Sequence, residues 1–137
     1  MDGKVYLLEI KDGSNPSGIY LSVFQIGLYL KLFERMQEEG DQLRSTLVRM
    51  AEQKERIGLI KSTGFVDRFR GSSSTLTFVP QLIIGGFKQK SSAMQKAHEV
   101  NEYMKKENPS WSFVNQIEYF SYNRDDQLQP LDLSNYK

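Results

Sequence analysis

The sequence predicts an α/β domain built on a small mixed β-sheet flanked by helices, and three observations carry that expectation. Apolar segments of strand length alternate with segments of helical periodicity, in the order β-α-α-β-α-β. The strand segments are short, rich in Val, Ile, Leu, Phe and Tyr, and bounded by Gly, Pro, Asn and Ser. A length of 137 residues, with 39% hydrophobic and 26% charged residues, suits a single domain around one core, here residues 1–137.

Val5 to Ile10 reads as the first strand, apolar on both faces. Asp2-Gly3 before it is a turn dipeptide of the hairpin type, and Asp12-Gly-Ser-Asn-Pro-Ser-Gly18 closes it with turn formers. A helix is expected from Ser17–Ser22 to Glu39, with Phe24, Leu28, Leu32 and Met36 recurring every four residues. Val23, Ile26, Tyr29, Leu30 and Phe33 widen that apolar surface, so the first turns are expected to be buried on most sides. Gly40 stops this helix, and Asp41 opens a second one marked by Leu43, Leu47, Met50 and Ile57. Gly64 to Ser74 reads as a mobile polar loop.

Leu76 to Gly86 is the next strand, with Leu82 to Ile84 fully buried; Pro80 marks a strand start, an edge or a bulge. Ser91 or Ser92 caps a helix to Glu107, with Met94, Ala97, Val100, Tyr103 and Met104 inward; Asn108-Pro109 ends it. Trp111 to Tyr122 completes the sheet, and the polar tail from Asn123 is expected on the surface.

Composition removes several function classes. There are no cysteines, which excludes disulfides and thiolate metal sites. No apolar run reaches the roughly 18 residues of a membrane span, and the N-terminus lacks the pattern of a signal peptide, so a cytoplasmic location is expected. The net charge of +1 provides no general basic coat, so any nucleic-acid contact must come from a local patch.

One constellation carries chemistry. Strand alternation puts Val5, Leu7, Glu9 and Lys11 on one face, with the two charged residues at the strand's exit. An exposed, loosely paired Glu and Lys is one account of them. A hydrolytic site is the other, because a carboxylate can hold a hard divalent cation while an ammonium orients water and stabilises phosphate charge. The following helix carries Gln25 and Tyr29, one turn apart on one face.

Glu9-x-Lys11 on a strand, followed by Gln25-x-x-x-Tyr29 on a helix, resembles the PD-(D/E)xK nuclease superfamily, in particular its RecB-like branch. The resemblance covers residues 1–40 by motif and the remainder by element order, like the second half of a restriction-endonuclease-like core. It implies hydrolysis of DNA phosphodiester bonds with Mg (or Mn). Glu9 would be a metal ligand, Lys11 would assist the water, and Gln25 and Tyr29 would face the site.

The family also places an Asp on the strand before Glu-x-Lys. Asp2 is the only acid upstream, and seven residues before Glu9 it has the wrong strand parity. The chain thus resembles a nuclease core lacking its N-terminal helix and first strands. That would leave an unpaired sheet edge, through which a homodimer is expected. The alternative function is a catalytically inactive nuclease-like module that binds nucleic acid or a protein partner.

Further candidates for nucleic-acid contact are Lys88 and Lys90, with Lys96, around a helix start, and Arg68 and Arg70 in the Ser/Gly-rich stretch. Trp111 and Phe113 read as core rather than as a base-stacking platform. His98 is the only histidine, which argues against a zinc site or a catalytic triad. Gly85-Gly86 lacks the lysine and serine of a phosphate loop.

Overall fold

A computed structural model of the chain describes residues 3–61, 64–71, 75–86, 92–107, 109–123 and 127–136. The architecture is mixed α/β. Strand β1 (Lys4–Asp12) is followed by helices α1 (Pro16–Glu38), α2 (Gln42–Arg56) and α3 (Phe65–Gly71). Then come β2 (Thr77–Gly85), α4 (Ser92–Glu107), a 3-10 segment (Pro109–Gln116), β3 (Glu118–Tyr122), β4 (Gln129–Leu131) and a short 3-10 turn (Leu133–Tyr136). No helix among the described residues is long and apolar enough to cross a membrane.

The four strands form one sheet in the order β1-β2-β3-β4. β2 and β3 run parallel, from Gln81 opposite Glu118 to Gly85 opposite Tyr122, whereas β3 and β4 are antiparallel. Beside β2, the carbonyl of Gly3 accepts from the Thr77 N–H at 2.9 Å, and the N–H of Gly13 donates to the Gly85 carbonyl at 2.6 Å. Both strands therefore begin together and end together, which makes β1 parallel to β2. Pro80 sits inside this central strand without breaking its ladder. Thr77 points its N–H at β1, so alternation turns the Pro80 nitrogen toward β3, where pairing starts only at Gln81.

Contacts group the chain into two compact units, Met1–Val5 with Lys31–Phe78, and Tyr6–Leu30 with Val79–Lys137. In the first, α2 and α3 pack together through Leu43, Val48, Val66 and Phe69. Phe33 meets Phe78 at 5.7 Å between ring centroids, and the Arg44 guanidinium lies 5.4 Å over the Phe69 ring. The Gln37 amide brackets the Leu76 peptide, donating to its carbonyl at 3.1 Å and accepting from its N–H at 2.8 Å.

The second unit holds most of the sheet. Leu82 and Ile84 are fully buried, as are Ile19, Val23, Ile26 and Leu30 of α1 and Met94, Ala97 and Met104 of α4. Each of these side chains other than Ala97 contributes about 1.5–3 kcal/mol by leaving water. The 3-10 segment packs on α4, with Phe113 and Val114 buried.

Several sequence expectations are corrected. Residues 65–71 of the expected loop form a helix, because Val66 and Phe69 at i, i+3 provide an apolar face. Trp111 to Gln116 is 3-10 rather than strand, and β3 covers only Glu118–Tyr122. The tail supplies β4 and the buried Leu133. Phe24, Leu28 and Leu32 are exposed, and so are Met50, Ile57 and Tyr103; Asn101 takes the inward place on α4. Ile83, between Leu82 and Ile84, is half-buried.

Candidate functional site at the exit of the first strand

Glu9 and Lys11 leave the same face of β1, as alternation requires. Their side chains are 18% and 19% exposed, and Nζ of Lys11 lies 2.5 Å from Oε1 of Glu9. The strand ends immediately after them. Asp12 Oδ1 accepts from the Ser14 N–H at 2.7 Å, and the Ser14 hydroxyl and N–H together hold this carboxyl below its ordinary range. Asn15 then caps α1, its Oδ1 accepting from the Gly18 N–H at 3.0 Å and from the Ser17 hydroxyl at 3.1 Å. Pro16, in the first helical position, gives up no hydrogen bond there.

The neighbouring strands end at the same level. Gly13 is tied to Gly85, and the Gly86 N–H donates to the Tyr122 carbonyl at 2.9 Å. The ion pair therefore stands at the carboxyl end of three parallel strands, where open α/β sheets place their ligands. Gly13 is part of this construction, since a Cβ there would lie 2.8 Å from both the Gly85 and the Gly86 carbonyl oxygens. These are backbone atoms and cannot rotate away. Gly13→Ala is expected to cost about 1–3 kcal/mol and to open the end of β1. A urea titration gives the first quantity, and loss of amide-exchange protection at Gly13 reports the second.

Gln25 and Tyr29 lie together on α1, but on its exposed flank; the buried face is Ile19, Ser22, Val23, Ile26, Gly27 and Leu30. Among the described residues neither makes a hydrogen bond to Glu9 or Lys11. Asp2, Lys88 and Lys90 fall outside the described residues. Arg68 and Arg70 sit on α3, in the other unit, and Arg70 is held by Glu52 and by Asp67. Lys96 is exposed on α4.

Among the described residues no three His, Asp or Glu side chains gather as a metal site. Glu9 supplies one carboxylate, whereas a hard divalent cation takes about six oxygens. One carboxylate leaves the rest of a magnesium ion's coordination to water and substrate oxygens, which this ion accepts.

A cavity lies elsewhere in the second unit, among residues that the sequence pattern did not single out as a site. It measures about 560 Å³ and is lined by His98, Asn101, Lys105, Tyr119 and Asp132, among others. On its wall Asn101 Nδ2 donates to the Tyr119 hydroxyl at 2.8 Å, while Asn101 Oδ1 is buried without a partner among the described residues. The polar Asn101, at i+4 from Ala97 on an otherwise apolar stripe, was the available signal. No family model, curated protein or solved structure matches the chain.

Proposed function

We propose that the chain is a nuclease-like domain of the PD-(D/E)xK type, acting on DNA phosphodiester bonds with Mg or Mn. The supporting observation is the half-buried Glu9–Lys11 pair at the carboxyl end of the parallel strands. In this reading Glu9 is a metal ligand, and Lys11 places positive charge against the scissile phosphate. Gln25 positions a site group or the substrate, and Tyr29 supports it from α1. The reading needs a second acid beside Glu9, and strand alternation turns Asp2 to the opposite face.

A second reading, a nuclease-like module that binds nucleic acid or a protein without cleaving, is favoured by one feature. The Glu9 carboxylate is already neutralised by Lys11. Incubation of the protein with plasmid and single-stranded DNA, with Mg or Mn, separates the two. Cleavage that falls at least about a hundredfold in Glu9→Ala and Lys11→Ala supports hydrolysis at this site. Cleavage unchanged in both variants rejects the site. Binding at low salt, where phosphate contacts are strongest, that weakens in Lys11→Ala without any cleavage selects the binding module.

A further inference from the structure

β1 is the terminal strand of the sheet among the described residues, and its outer side has an unusual composition. Tyr6, Leu8 and Ile10 are 52%, 55% and 67% exposed along one face. Lys4 and Asp12 are exposed at the two ends of that same face. Protein edge strands ordinarily carry charges or a bulge that discourages pairing, and an exposed apolar edge invites it.

The backbone is oriented for such pairing. Gly3 and Gly13 turn their hydrogen-bonding groups toward β2, so the odd residues between them do likewise. The N–H and C=O groups of Tyr6, Leu8 and Ile10 consequently face away from β2, along the outer edge.

We infer that this edge pairs with a second copy of the same chain, β1 against β1, antiparallel about a two-fold axis beside Leu8. The register follows from the sequence Lys4-Val-Tyr-Leu-Leu-Glu-Ile-Lys-Asp12. Directly opposed residues in an antiparallel pair share a face, so the possible registers differ in steps of two. With Leu8 opposite Leu8, Tyr6 meets Ile10 of the second copy, and Lys4 meets its Asp12. An apolar centre is then closed at both ends by opposite charges. A shift one way sets Glu9 against Glu9 of the second copy. A shift the other way sets Lys4 against Ile10 and leaves Asp12 beyond the paired strand. The strand is thus self-complementary in one register, and the product is a continuous eight-stranded sheet. In the same register Glu9 lies opposite Leu7 and Lys11 opposite Val5 of the second copy, so the contact borders the Glu9–Lys11 pair.

Sedimentation equilibrium of the full chain from micromolar to millimolar concentration tests it. A mass rising toward twice the 15.9 kDa of one chain is expected. Leu8→Lys, at an exposed position, puts two ammonium groups at the axis and is expected to leave a folded monomer. Lys4→Asp and Asp12→Lys each set like charges opposite one another twice, and each is expected to raise the dissociation constant about tenfold or more. The double exchange restores opposite charges and is expected to restore dimerisation. It does not restore the local Asp12–Ser14 turn, so recovery reads the contact between copies rather than folding. A constant monomer mass overturns the inference. So does a dimer insensitive to Leu8→Lys, which would move the contact to another surface, such as the exposed Leu21, Phe24 and Leu28 of α1. Failure of the double exchange to recover the dimer overturns the register and with it the proposal.

Discussion

Gly27→Ala is expected to destabilise the protein, although the same change in most helix interiors stabilises. Gly27 lies in the middle of α1, where replacing glycine by alanine ordinarily gains about 0.5–1 kcal/mol. Here the ring of Phe113 occupies the space: a Cβ on Gly27 would overlap the ring atoms Cζ and Cε2. The ring is rigid and Phe113 is buried, so the methyl displaces either the 3-10 segment or the helix. Overpacking of this kind costs about 1–3 kcal/mol, occasionally more. With an overlap this deep the cost belongs at the upper end, leaving a net loss of about 2 kcal/mol after the helix gain. Thermal unfolding should then fall by roughly 6–8 °C. A double-mutant cycle with Phe113→Leu checks the cause, because the smaller side chain makes room. A favourable coupling above about 1 kcal/mol is expected. A stabilised Gly27→Ala variant would show that glycine and ring do not touch.

The same helix explains how far the fold was legible in the sequence. That α1 exists follows from its apolar periodicity, and so does the alternation of helices and strands that gives the mixed sheet. Which face of α1 is buried does not follow. Ile19, Val23, Ile26 and Leu30 form one apolar stripe, and Leu21, Phe24, Leu28 and Leu32 form another on the opposite side. Both satisfy helical spacing, and only tertiary packing chooses between them. The expected burial of Phe24, Leu28 and Leu32 failed for that reason. The strand expected from Trp111 failed differently. Phe113, Ile117 and Tyr119 fall at alternating positions and imitate a half-buried strand from Trp111 on, but Phe113 is buried through a 3-10 turn against α1. β4, at three residues, is too short for any periodicity to register.

Of the candidate site, the part governed by one element was legible and the part governed by two was not. Glu9 and Lys11 share a face because strand alternation is local. Gln25 and Tyr29 share a face for the equivalent helical reason. Whether the two faces meet depends on how α1 is rotated against the sheet, and Gln25 and Tyr29 fall on its exposed flank. The Asn15 cap, by contrast, was written in Asn15-Pro16 and sets the start of α1 earlier than the apolar pattern did.

Alkaline pH should destabilise the fold through one tyrosine. Tyr119 is buried beneath α4, and loss of water around its phenol pushes its pKa up to about 12. The hydrogen bond from Asn101 to its oxygen favours the phenolate and only partly offsets this burial. The sign follows from proton binding. Below pH 10 the phenol is protonated in both the folded and the unfolded chain, and its contribution is fully present. Between pH 10 and about 12 the unfolded chain releases the proton while the folded one retains it. The unfolded state then binds fewer protons, so stability falls as pH rises, by about 1.4 kcal/mol per pH unit at most and about 2–3 kcal/mol across the window. Tyr119→Phe removes this term. It also strands the buried Asn101 amide, costing about 1–3 kcal/mol near neutrality. The variant is therefore expected to be less stable than the parent at pH 8 and to approach it by pH 11.5 in urea titrations. Other alkaline titrations are common to both proteins and cancel in the difference. Ultraviolet titration should likewise lose one late-ionising tyrosine in Tyr119→Phe relative to the parent. A stability difference that stays constant over this range would mean that Tyr119 is hydrated in the folded protein, and the burial argument would fail with it.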